Sequence, residues 1–279
     1  NAGKEIGYAL NGTAGLFGIV SKSLGLTEGV TITLADVFNK LESVDSEIRT
    51  VDAKVDSLTN KLDEVEKQLG YQTELSSLRP ALEHTQVFGQ YIQSDLGTIN
   101  WSTLDENGGY AQLTDEQKNA IANFYKDVTD LEETGKYSVE DSTITLGNLI
   151  IEDRTIGSRS ALSMYFDCID TLYNWEPETL EMRTAFYERI AYAYLCGYMT
   201  TVAKLQYEAS LDGGASHTAS LKAIMDNFEK VNAVLAVDGS NSMYPMTQKS
   251  TDGTVKNLVN GKSYTQADFS NNIYGNLSV

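Results

Sequence analysis

Residues 34–69 read LADVFNK-LESVDSE-IRTVDAK-VDSLTNK-LDEVEKQ-L. Apolar side chains stand at Leu34, Val37, Leu41, Val44, Ile48, Val51, Val55, Leu58, Leu62, Val65 and Leu69, in alternating steps of three and four. A helix turns once in about 3.6 residues, between those two steps, so these positions fall on one stripe and predict a single amphipathic α-helix. At ~1.5 Å per residue it is roughly 54 Å long. Gly70 follows it and can take the left-handed conformation common just past a helix C-terminus.

An unbroken heptad can pair with a second chain or pack inside its own. Leu34, Leu41, Ile48, Val55, Leu62 and Leu69 occupy one seam position, and Val37, Val44, Val51, Leu58 and Val65 the other. Parallel dimers prefer β-branched residues at the first and leucine at the second, nearly the reverse of this order. In a parallel pair, Lys40 with Asp45 and Lys61 with Glu66 attract, while Glu47 with Asp52 repel. The stripe is therefore expected to pack against other helices of the same chain, with a monomer as the favoured state.

The rest of the chain carries shorter versions of the same signal. The three prolines, Pro80, Pro177 and Pro245, fall where apolar periodicity stops or restarts. A helix from Pro80 carries Val87, Tyr91 and Ile92. Thr114 and Gln117 make a capping box ahead of Ile121, Phe124, Val128 and Leu131, with Gly135 as the stop. Ser138 can cap a helix through Ser142 to Ile151, although Thr143, Ile144 and Thr145 favour a strand; helix is the reading preferred. Ser158 is expected to open a helix through Leu162, Tyr165, Ile169 and Leu172. Pro177 starts a long one reaching about Ala209, uncharged from Ile190 to Ala203 and so expected to be the most buried. A last helix, about Ser216 to Val237, places Leu221, Met225, Phe228, Val231 and Leu235 on one side.

Composition narrows the function classes. Hydrophobic residues are 41% and charged residues 22%, enough apolar side chain for a core. The net charge is −18, and after Val237 three acids (Asp238, Asp252, Asp268) balance three lysines (Lys249, Lys256, Lys262), so the excess lies in residues 1–237. Such a charge repels nucleic-acid phosphates, and no nucleic-acid partner is expected. No run reaches the ~20 predominantly apolar residues of a membrane-spanning helix. The chain, starting at Asn1, is read as a mature or trimmed one whose export signal has been removed. Its acidic, Tyr-, Asn-, Ser- and Thr-rich makeup with two cysteines fits a bacterial extracellular or cell-surface protein. A helical hairpin broken at Asn174 to Pro177 sets Cys168 and Cys196 too far apart for the ~7 Å Cα limit of a disulfide, so both read as buried small hydrophobes.

Candidate sites are few. Val234-Leu-Ala-Val-Asp-Gly-Ser-Asn-Ser-Met243 places Asp238, Ser240 and Ser242 after an apolar run. It resembles the DxSxS metal-binding motif of von Willebrand factor A domains, which implies a divalent cation held by carboxylate and hydroxyl oxygens. Only 37 residues follow Ser242, too few for the distant Thr and Asp of that family; Asp252 comes too soon, and as a calcium loop the twelfth position is Lys249. These residues read as a polar turn, with no metal and no cofactor expected. Residues 6–26 alternate Gly7, Gly12, Gly15 and Gly18 with Leu10, Leu16, Phe17, Ile19 and Val20. The segment Ala14 to Val20 is similar to the apolar Gly-rich segments of viral fusion peptides and, in style, of helical pore-forming toxins, which implies membrane contact; the preferred reading is a helix packed closely through its glycines.

His84 beside Glu83 lacks HExxH spacing, His217 follows a Gly-rich turn, and both read as structural. Asp167 and Asp170 read as an exposed acidic pair on one helix face, and Tyr187, Tyr194 and Tyr198 as a core stripe rather than a ligand groove. No GxSxG, phosphate loop, GxGxxG or CxxC is present, and no catalytic residue is assigned.

The expected fold is all-α: an elongated bundle of five to seven helices over residues 1–237, with 238–279 as a Gly/Ser/Asn-rich appendage rather than an independent domain. Asn260-Gly261 gives that appendage its hairpin signal. The expected function is a non-enzymatic secreted or cell-surface helical protein acting on a protein or other cell-surface partner. The alternative is a membrane-active helical protein using residues 6–26.

Overall fold

The computed structural model describes residues 60–96, 114–152, 159–173, 177–212 and 217–235, together with three short strands at 247–249, 255–257 and 263–264. The fold class is all-α. The helices are α1 (60–69), α2 (Gln72–Leu75), α3 (Leu78–Gln86), α4 (Phe88–Tyr91), α5 (Asp115–Gly135), α6 (Val139–Ile151), α7 (Ala161–Leu172), α8 (Pro177–Asp212) and α9 (Thr218–Leu235). One π-helical turn, Ile92–Leu96, continues α4. The strands β1 (Thr247–Lys249), β2 (Val255–Asn257) and β3 (Ser263–Tyr264) pair antiparallel in that order, with Val255 opposite Tyr264. Asn260 and Gly261, between β2 and β3, lie outside the described residues, as do residues 34–59 of the heptad stripe and all of 6–26.

The last turns of the heptad stripe do fall within the description. Leu62 and Val65 are buried in the chain's own core, while Leu69, at the end of α1, is 36% exposed. Gly70 takes φ +75° just past it, the left-handed conformation that glycine adopts without a Cβ clash.

Local chemistry fixes the helix ends. The Thr114 hydroxyl accepts from the Gln117 amide and the Gln117 side chain accepts from the Thr114 amide, so the capping box is present. Thr114→Ala is expected to lower stability by about 1 kcal/mol, read as a shift in the urea midpoint at unchanged slope. At the other end of α5, Lys136 rather than Gly135 takes the left-handed turn, at φ 56°. Gly135 serves another need: a Cβ there would run into the Tyr137 ring, which folds back over it.

The ambiguous segment is helical because its burial repeats every three or four residues. Val139, Thr143, Leu146, Gly147 and Ile150 are buried, whereas Thr145, which a strand would place beside Thr143, is exposed. The Ser138 hydroxyl caps α6 by accepting from the Asp141 amide. Glu132 ties three helices together: it accepts from the Val139 amide at 2.7 Å and holds Lys204 at 2.6 Å. Ser160, not Ser158, caps α7, accepting from the Ser163 amide; Ser158 lies outside the described residues. Pro80 stands in the first turn of α3, two residues after its start, where a missing amide hydrogen costs nothing.

Helix α8 packs against α3, α4, α5, α6, α7 and α9. Every residue from Ile190 to Ala203 is buried, so the uncharged stretch is the inside of the molecule. Two threonines on neighbouring helices, Thr85 of α3 and Thr143 of α6, meet α8 at Gly197, where a Cβ would overlap the Thr143 hydroxyl and lie 2.8 Å from the Thr85 methyl. On α9 the buried face is Ile224, Asn227, Val231, Val234 and Leu235, with Leu221 and Phe228 at its edge. The expected stripe is corrected at one position: Met225 is 53% exposed, because the helix turns to send Ile224 and Asn227 inward.

Candidate functional site

Charges on an apolar stripe are the first place to look for function, since burying a charge is costly unless something compensates it. The break between α7 and α8 has one on each side. Along α8, Thr179, Met182, Arg183, Phe186, Tyr187 and Ile190 recur at helical spacing, and all are buried. Along α7, Phe166, Ile169 and Asp170 do the same. The helical hairpin brings the two charges together, with Arg183 Nε 3.2 Å from Asp170 Oδ1. Asp170 is 0% exposed and Arg183 6%. The expectation of an exposed acidic pair is therefore wrong for Asp170: hydrophobic neighbours on its own helix carry it into the core.

Asp167, one turn earlier, sits nearer the surface and has its own partners. Arg159 donates to it at 2.7 Å, and the Tyr71 hydroxyl donates to its other oxygen at 3.2 Å. Arg159 also reaches the Ser163 hydroxyl at 3.0 Å. On α1, the buried Glu66 and the more exposed Asp63 flank Arg79 of α3, with distances of 3.6 and 2.7 Å. The Arg183 guanidinium lies 4.7 Å over the Phe166 ring, a contact that favours the cation. These are three acid and guanidinium sets: one joins α1 to α3, one ties Arg159 and Tyr71 to α7, and one joins α7 to α8.

Burial sets the proton affinities here. It pushes the Asp170 carboxyl up to about 6; Arg183 pulls the other way, Asp167 adds to the rise and Arg159 opposes it. Burial also raises Glu66, against the pull of Arg79. The Cys168 thiol is pushed up to about 12 by burial, with Glu66, Asp167 and Asp170 adding to the effect. It is a protonated thiol at neutral pH and not a nucleophile. Cys196 is buried as well. Native protein is expected to leave both thiols unmodified by iodoacetamide over hours and to release two reactive thiols in denaturant; fast labelling of the native chain would contradict this burial.

The tyrosine stripe is core. Tyr194 donates to Asn227 at 2.8 Å and Asn227 donates onward to Asn148 at 3.1 Å, a polar chain joining α8, α9 and α6. Tyr187 donates to the Leu235 carbonyl. Tyr198 stacks between Tyr194 and Phe228, with ring centroids 6.5 and 4.3 Å away. His84 stacks on Tyr137 at 4.0 Å, and His217 Nδ1 lies 3.5 Å from Glu208. Asp238, Ser240 and Ser242 lie outside the described residues. Among the described residues, no three His, Cys, Asp or Glu side chains gather as a metal site would require, and no helix is long and apolar enough to cross a membrane.

Compared with known proteins, the chain matches no family model, no curated protein and no solved structure.

Arg159, Arg183 and Tyr71 carry no motif in the sequence, and Glu66 enters there only as a charge flanking the heptad stripe. A usable signal existed for Arg183: a cation on an apolar stripe in the second turn of its helix, with an acid in the last turn before the break.

Proposed function

We propose that this protein is a non-enzymatic secreted or cell-surface helical protein that acts by binding another macromolecule through its outer helical faces. The observation that carries the reading is the use to which its interior ionisable groups are put. Asp170 with Arg183 joins α7 to α8, Glu132 with Lys204 joins α5 to α8, Asp167 on α7 holds Arg159 and Tyr71 from the segments before α7 and α2, and Cys168 is held as a thiol. Among the described residues, these interior groups are engaged in holding the fold, which favours the acidic exterior as the working surface.

The same reading carries the finer architecture. The stripe from Leu34 to Leu69 is one heptad helix lying along an elongated bundle of residues 1–237, and residues 238–279 form a small appendage built on a β-hairpin. Burial of Leu62 and Val65 in the chain's own core supports an intramolecular role for the stripe. A partner then meets a different face, such as the outer side of α9 with Lys222, Met225, Asp226 and Glu229.

Photo-crosslinking in the producing cells tests this. A photoreactive residue at Met225 should give one discrete adduct with a component outside the cytoplasm, and one at buried Ile224 should give none. A chain retained in the cytoplasm, or identical patterns from both positions, would overturn the reading. Dye release from liposomes by the full chain, abolished on removing residues 1–27, would favour the membrane-active alternative instead.

A further inference from the structure

We propose that Asp170 and Arg183 form a proton-responsive clasp that holds α7 against α8 more tightly in mildly acidic solution than in neutral solution. The geometry argues for it. A buried carboxylate is stable when several donors surround it, or when a guanidinium meets it as a two-pronged fork. Asp170 is fully buried, and its contact with Arg183 is through Nε at 3.2 Å, with neither carboxylate oxygen in a well-formed hydrogen bond. Asp167 stands one turn away on the same helix with the same charge. The buried Thr179 hydroxyl lies one turn before Arg183 on α8, on the same inward face.

Arg183 does not depend on Asp170 alone, because it also lies over the Phe166 ring. A proton on Asp170 therefore removes an under-compensated negative charge while the cation keeps its aromatic contact. Among the described residues, the charges bearing on Asp170 are Arg183 from α8, Asp167 from α7 and Arg159 from the segment before α7. Tyr71, ahead of α2, and Glu66, on α1, act on the neighbouring Asp167 and Cys168.

Burial raises the folded-state proton affinity of Asp170 to about 6 from an ordinary value of 3.8. The folded chain then binds the proton more tightly than the unfolded chain between those values. The resulting stabilisation is present at low pH and is lost as pH rises through about 6. Between about pH 7.5 and about pH 5 this linkage amounts to about a tenfold change in the unfolding equilibrium constant.

The test is urea unfolding of the full wild-type chain and of Asp170→Asn at those two pH values. The ratio cancels other titrating groups, and the wild-type unfolding constant relative to the variant should fall about tenfold on acidification. An unchanged ratio, or one that rises, overturns the proposal. If Asp170→Asn does not fold, the wild-type chain labelled with carbon-13 at the aspartate carboxyls decides: an assigned Asp170 resonance titrating near 6 supports the clasp, and one titrating below about 4.5 overturns it.

Discussion

Replacing Gly197 with alanine is expected to destabilise the protein by about 3 kcal/mol, at the upper end of what added volume in a packed core costs. The new methyl would overlap the Thr143 hydroxyl and press on the Thr85 methyl at 2.8 Å. Neither threonine can turn away cheaply. Thr143 donates to the Val139 carbonyl at 2.7 Å, and Thr85 donates to the Ala81 and Leu82 carbonyls at 2.9 and 3.2 Å, so both rotamers are held by their own helices. The glycine sits where α3 and α6 both meet α8, which leaves little room for relief by sliding one helix. Urea unfolding of Gly197→Ala measures the loss. Adding Thr143→Ala should recover part of it, and a double-mutant cycle should show coupling between the two positions. Strict additivity would mean that this crossing is looser than described.

Arg183→Met is expected to cost about 3–5 kcal/mol at neutral pH, because it leaves the buried Asp170 carboxylate without its cation. Methionine keeps much of the side-chain volume, so most of the loss is electrostatic. The loss should shrink near pH 5, where Asp170 takes up a proton and no longer needs a counter-charge. Unfolding measured at both pH values checks the sign as well as the size. A loss of equal size at both would indicate that Arg183 matters for packing rather than for charge.

Much of the fold was legible because helices announce themselves through period and caps. The Thr114 and Gln117 box, the Ser138 cap and the uncharged run from Ile190 to Ala203 each led to the element or the burial found. What escaped reading depended on contacts between segments distant in sequence. Gly135 looked like a helix stop, yet its small size serves the returning Tyr137 ring and the turn falls on Lys136. Met225 looked like a core residue, but the register of α9 is set by Asn227, which must face inward to meet Tyr194 and Asn148. The same holds for the site. Asp170 seemed one more acid in an acidic chain, because its burial is decided by a partner beyond the α7–α8 break. An acid and a base on facing apolar stripes are visible in a sequence only once the hairpin joining them has been assumed.

Helix α8 is the interior around which the other described helices are arranged. Native-state hydrogen exchange read by mass spectrometry tests that most directly. Amides from Ile190 to Ala203 should exchange last, with an opening free energy equal to that of global unfolding, while the ends of α5 and α9 exchange earlier. Exchange of the 190–203 segment ahead of α5 or α9 would contradict it.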